Sequence, residues 1–223
     1  WVRPITNGGH GFRDALSRRA RRRIEPCTRL RNRMPHPLET ELNAPAADIM
    51  EAIARGLRAK VDVKGTLAEL YLMRQLEELR SVGAVSDYSW HDADGRPDFE
   101  IWTDHAILVV ECKNVRAEQR LRSEHHATVE LQKTRGGTDA QGRQTRGYRT
   151  DHFDILAACV FNATGAWEHR FALVDDLERR PDAPDTLKVM QRVSLAPDAV
   201  WWGSLDEAIR AHRARLRPTE PRA

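Results

Sequence analysis

The tightest constraint on the fold is an apolar stretch, residues 99–110, broken by Asp104-His105 and bracketed by Pro97-Asp98 and Glu111-Cys112-Lys113. Its composition reads as two short strands. With Asp104-His105 as a two-residue turn, Thr103 faces Ala106, Glu100 faces Val109 and Asp98 faces Glu111. Two carboxylates then lie across from each other on one face of a sheet. Lys113, two residues past Glu111, shares that face, and Cys112 points the other way. A slip of one residue would separate the acids, and Asp-His is a weaker turn signal than Asn-Gly, so the register is an inference. Both faces of the hairpin are rich in apolar residues, as in a sheet covered on both sides.

The chain has 223 residues, which fits one domain with an appendage. No apolar run approaches the roughly 20 residues of a membrane span, and the N-terminus has no apolar signal region. Cys27, Cys112 and Cys159 are too scattered for a disulfide framework or a cysteine zinc site, so the expected compartment is a reducing cytoplasm. The formal charge of +3 divides unevenly. Residues 1–33 hold ten arginines and two acids, a net of +8, and leave 26 basic and 31 acidic groups for the remainder. That first segment lacks hydrophobic periodicity. It reads either as a disordered basic arm that grips phosphates or as an upstream stretch foreign to the native protein, since Met34 is the first methionine. The expected organisation is therefore a segment 1–33 and a single domain over 34–223.

Within that domain a helix is expected over residues 46–60 and a second over 64–79, with Ala68, Leu72, Met73, Leu76 and Leu79 on its apolar arc. Glu69 falls inside the arc. An acid there needs a cation, a hydrogen-bond partner or an altered pKa, and an ion pair with a nearby arginine would serve as well as a functional role. Residues 85–90 read as a strand, 123–135 as a helix, 136–147 as a flexible loop, and 153–161, 169–174 and 187–193 as strands. Ser204 and Glu207 form a capping box that opens a last helix.

Opposed Asp98 and Glu111 offer hard oxygen ligands suited to Mg2+, and the Cys112 backbone carbonyl offers another. Lys113 is a compact cation able to orient an attacking water and stabilise developing negative charge. Glu69 reaches the same place from a packed helix. The bland alternative makes Asp98 a turn residue and Glu111 and Lys113 a solvated strand end. Residues 113–149 carry nine basic groups against four acids, a stripe suited to a phosphate backbone; an ordinary solvated helix and loop is the alternative. Gln132, Lys133, Arg135, Arg143, Arg146 and Arg149 are its candidate contacts. Tyr148 is its one aromatic, so base stacking has little support there.

Pro97-Asp98 followed by Glu111-Cys112-Lys113 resembles the signature of the PD-(D/E)XK nuclease superfamily, which includes restriction, recombination and repair nucleases. The resemblance implies an α/β fold with a restriction-endonuclease-like core, a mixed central β-sheet flanked by α-helices. Its elements run helix, strand, strand, strand, helix, strand, the order read here between residues 64 and 161. Carried over, Asp98 and Glu111 bind metal, Lys113 acts on the nucleophile, and Glu69 matches the extra helix glutamate of some members. The Gln-x-x-x-Tyr motif of end-processing members is absent, since Gly136 stands where the tyrosine would be. The implied activity is a Mg2+-dependent DNA endonuclease of restriction type, with Mn2+ as a substitute, acting on duplex DNA, with a homodimer as one arrangement for cutting both strands. A structure-specific repair or recombination nuclease is the first alternative. A catalytically inactive nuclease fold that only binds nucleic acid is the second, against which the intact acid-acid-lysine set argues.

Overall fold

A computed structural model describes residues 34–93, 96–117, 125–132 and 146–216. The chain forms two compact units, Trp1–Ile49 and Met50–Ala223. In the first, helix α1 (Pro37–Glu41) is capped by His36, whose backbone N–H donates to Glu39 in return. Helix α2 (Ala46–Arg55) begins there and buries none of its side chains.

The second unit is built around helix α3 (Leu57–Ser81) and a mixed sheet. The single helix expected over 46–60 is divided at Gly56, which has extended backbone angles and stands as the N-cap of α3. Ala68, Leu72 and Leu76 are buried, with Met73 and Leu79 packed partly against them, so the apolar arc read from helical spacing is the face α3 presents to the sheet.

The sheet contains β1 (Asp87–Trp90), β2 (Phe99–Trp102), β3 (Ile107–Asn114), β5 (Ile155–Cys159) and β6 (His169–Leu173), in the order β1-β2-β3-β5-β6. All neighbours are antiparallel except β3 and β5. Alternation along the strands divides the core in two. Phe99, Ile101, Leu108, Val110, Cys112, Ile155 and Ala157 point to the side that carries α3. Leu156, Ala158 and Ala172 point to the other, with Val109 packed partly there.

The connection from β3 to β5 does not contain the helix expected over 123–135. Its described part forms strand β4 (His126–Glu130). Ala127, Val129 and Leu131 are buried and the residues between them are half-buried, a period of two rather than 3.6. β4 pairs not with the central sheet but with β9 (Met190–Ser194). After β5 come the short α4 (Phe161–Thr164), then β6, a 3-10 turn at Val174–Asp176, β7 (Arg179–Arg180) and β8 (Ala183–Leu187). The one strand expected over 187–193 is thus two strands, β8 and β9, parted at Lys188-Val189. Helix α5 (Leu205–Leu216) closes the unit, opened by reciprocal bonds between Ser204 and Glu207. The fold is accordingly mixed α/β, a central mixed sheet flanked by helices. No helix among the described residues is long and apolar enough to cross a membrane.

Because Leu72 is fully buried beneath the sheet whereas Leu57 is 78% exposed, Leu72→Ala is expected to cost about 2–5 kcal/mol. Leu57→Ala is expected to cost under about 0.5 kcal/mol. Urea unfolding of both variants checks the contrast.

Candidate active site

The hairpin has the register that places the two acids opposite each other. Phe99 pairs with Val110 and Glu100 with Val109, and the Thr103 N–H donates to the Ala106 carbonyl at 3.0 Å. One step outward, Asp98 meets Glu111 at the C-terminal end of β3. The Asp98 carboxylate also accepts from the Cys112 N–H at 2.7 Å, so its side chain is tied to the strand that carries the second acid.

Lys113 stands between them. Its ammonium lies 3.6 Å from Asp98 Oδ2, donates to the Cys112 carbonyl at 3.2 Å, and pairs with Glu111 Oε1. These are three of the four ligand candidates read from the sequence, and they converge on one positive charge; the fourth, Glu69, bonds Trp90 instead. Glu111 is 4% exposed, and an ionised carboxylate at that depth requires such partners. It has a second one: the Tyr148 hydroxyl donates to the same Oε1. The Tyr148 ring is also 5.9 Å from Lys113 Nζ and is held edge-on against His152 and Phe153.

Glu69 comes from the buried-face side of α3. Its Oε2 accepts from Trp90 Nε1 at 2.9 Å, and the Trp90 ring stacks on Phe99. A hydrogen-bond partner, rather than an arginine, explains this inward acid. Glu69 is linked to Asp98 by charge rather than by a hydrogen bond. Among the described residues no three His, Cys, Asp or Glu side chains are grouped to hold a metal ion. The donor set that does assemble is two carboxylates and a backbone carbonyl. Hard oxygens already gathered around a cation are chemically suited to Mg2+ or Mn2+, which retain waters in their remaining positions.

Burial raises the Glu69 carboxyl to a pKa of about 7, with the Asp98 charge adding to it and the Trp90 bond opposing. Burial also raises Asp98, to about 6; Lys113 pulls it down and Glu111 pushes it up. For Lys113, burial alone would depress the pKa, but Glu111 and Asp98 outweigh it and the ammonium is held more firmly charged than in water. Tyr148 is raised, first by burial, and stays a neutral donor.

The proposed DNA contacts fare unevenly. Lys133, Arg135 and Arg143 lie outside the described residues. Gln132 forms an isolated bridge to Gly147, next to Tyr148. Arg146 is exposed. Arg149 is engaged by Asp151 at 3.1 Å and Asp185 at 2.7 Å, so its charge is already answered within the chain. In the sequence Tyr148 stands out only as an aromatic in the basic stripe. Its partnership with Glu111 spans 37 residues and has no local signal.

A carboxyl whose folded pKa exceeds its unfolded value binds its proton more tightly when folded. Stability therefore falls as pH rises from about 4.5, the ordinary glutamate value, towards 7. Glu69→Gln keeps an acceptor for Trp90 and removes the charge. In divalent-free buffer it is expected to raise Tm at pH 8 and to raise it much less at pH 5; thermal melts at both pH values test this, and an equal effect would contradict it. Tyr148→Phe deletes a donor to a buried carboxylate and is expected to cost about 1.5–3 kcal/mol by urea unfolding.

No protein-family model matches this chain, and no curated protein matches it in sequence. A solved structure of a bacterial homing endonuclease, I-Ssp6803I, is similar over 72% of this chain and 84% of its own length, at 16% identity and a TM-score of 0.39. At that level the likeness decides nothing about this chain.

Proposed function

We propose that this chain is a Mg2+-dependent DNA endonuclease of restriction type, built on the PD-(D/E)XK pattern. The observation that carries the reading is the convergence of Asp98, Glu111 and the Cys112 carbonyl on the Lys113 ammonium. An acid, an acid and a lysine brought to one point by strand register can supply what metal-assisted phosphodiester hydrolysis needs, charge neutralisation and an activated water.

Asp98, Glu111 and the Cys112 carbonyl are the groups that would hold Mg2+, or Mn2+ in its place. Bound there, a divalent cation supplies Lewis-acid withdrawal of charge from the scissile phosphate and makes water more acidic. Tyr148 holds Glu111 in its orientation through the hydroxyl bond. Lys113, on a flexible stem, turns its ammonium from the carboxylates to the attacking water and the phosphate, where it stabilises negative charge as it develops. Glu69, raised towards neutrality by burial and by the Asp98 charge, would reach the metal or its waters from the side of α3. A homodimer would bring two such sites to the two strands of a duplex.

Purified protein is expected to cleave duplex DNA with Mg2+ and not with EDTA. Asp98→Ala, Glu111→Ala and Lys113→Ala are each expected to lower the rate by about a hundredfold or more while remaining folded by circular dichroism. A Lys113→Ala protein that cuts at the wild-type rate would overturn the mechanism. Faster cutting of flaps or junctions than of plain duplex would replace restriction with a structure-specific role.

A further inference from the structure

A second cluster lies at the same end of the sheet as the acids. Trp167 stacks almost parallel with Tyr71, with centroids 5.3 Å apart and planes 4° apart. It stacks likewise with Phe161, at 3.9 Å and 11°. A cation lies over each of those two partners: the Arg74 guanidinium 4.8 Å from the Tyr71 centroid and Lys64 Nζ 5.5 Å from that of Phe161. Neither cation has a carboxylate within salt-bridge distance among the described residues, although α3 also carries Glu77 and Glu78. Lys64 is instead held by the Asn162 side-chain oxygen at 3.1 Å. Arg74 is exposed, and a guanidinium lying on a ring keeps its edge N–H groups free to fork onto an anion.

Strand direction places this cluster relative to the acids. β3 and β5 are parallel and end together, and β2 and β6, antiparallel to them, start at that end. Asp98 precedes β2 and Lys113 is near the end of β3, whereas Phe161 follows β5 and Trp167 precedes β6. The lateral offset is two strand spacings, on the order of 10 Å, with the rings on the α3 side of the sheet and Glu111 and Lys113 on the alternate face at the same end. The two places are also joined by hydrogen bonds. Asn114, next to Lys113, donates to the Lys64 carbonyl at 3.0 Å, and Asn162 donates to the Val115 carbonyl at 2.7 Å.

From these observations we infer that Lys64 and Arg74, set on the stacked rings of Phe161, Trp167 and Tyr71, bind the phosphodiester backbone of the DNA strand a few nucleotides from the bond being cut. The inference rests on the nuclease reading and extends it to a surface outside the basic stripe of residues 113–149. Positive charge with no carboxylate partner among the described residues, seated on rings whose faces are already covered, fits the phosphates of a polyanion rather than its bases. The rings hold the cations in place, so little side-chain entropy is lost on binding.

The test is fluorescence anisotropy of a labelled duplex and of the matching single strand, titrated with protein in EDTA over a range of NaCl. Lys64→Met and Arg74→Gln leave the acids and Lys113 untouched. Each is expected to weaken binding on the order of tenfold at 0.1 M salt and to flatten the salt slope by about one phosphate's worth. Trp167 emission is expected to change on binding in the wild type. If the wild type binds and both variants match it in affinity and slope, the stack only clamps α3 to the sheet. That outcome overturns the inference and leaves the nuclease reading standing. If the wild type binds neither DNA form, both fall.

Discussion

One lysine ammonium holds the centre of this molecule together. Glu111 is buried and Asp98 largely so, and two like charges on facing strand positions repel in a medium that screens them poorly. Lys113 answers both, and the Cys112 carbonyl completes its hydrogen bonding. Removing the cation would leave the acids to repel or to take up protons. The balance is local and incomplete, since two carboxylates share one ammonium; burial, more than the Glu111 charge, holds Asp98 above an ordinary aspartate. A site short of positive charge at neutral pH is one that a divalent cation and a phosphate-bearing ligand would complete.

The rest of the fold serves that geometry. The β2–β3 register sets Asp98 against Glu111, and the Cys112 N–H fixes the Asp98 side chain in turn. Parallel pairing of β3 with β5 buries the base of the site on both faces and sends the chain through a long crossover, from which Tyr148 returns to meet Glu111. α3 brings Glu69 to one side. It is tied to β6 by His169, which bonds the Ala68 carbonyl through Nε2 at 3.2 Å and Gln75 through Nδ1 at 3.1 Å. Burial depresses His169 to a pKa of about 4, so this clamp is neutral and does not disturb the charge balance nearby.

Features governed by local periodicity are legible in the sequence. The hairpin register, the arc of α3 and the Ser204–Glu207 cap all follow from spacing over a few residues. What is not legible depends on distant partners. Residues 126–130 carry the alternation of a strand rather than of the helix expected over 123–135, and the ladder that fixes them comes from β9, far along the chain. Glu69 stands out as an inward acid, but its Trp90 partner cannot be named from the helix alone. Arg149 reads as a free cation, and its pairing with Asp185 emerges only once β8 folds back beside it.

The most direct measurement is calorimetric titration of Mn2+ into the wild type, Asp98→Asn and Glu111→Gln at pH 8, without DNA. One site is expected in the wild type, weakened at least about tenfold in each variant, because the proposed cation seat is made of both carboxylates and the Cys112 carbonyl. Wild-type affinity retained in both variants would mean that Lys113 bridges two acids for stability alone and that no metal centre exists at this end of the sheet.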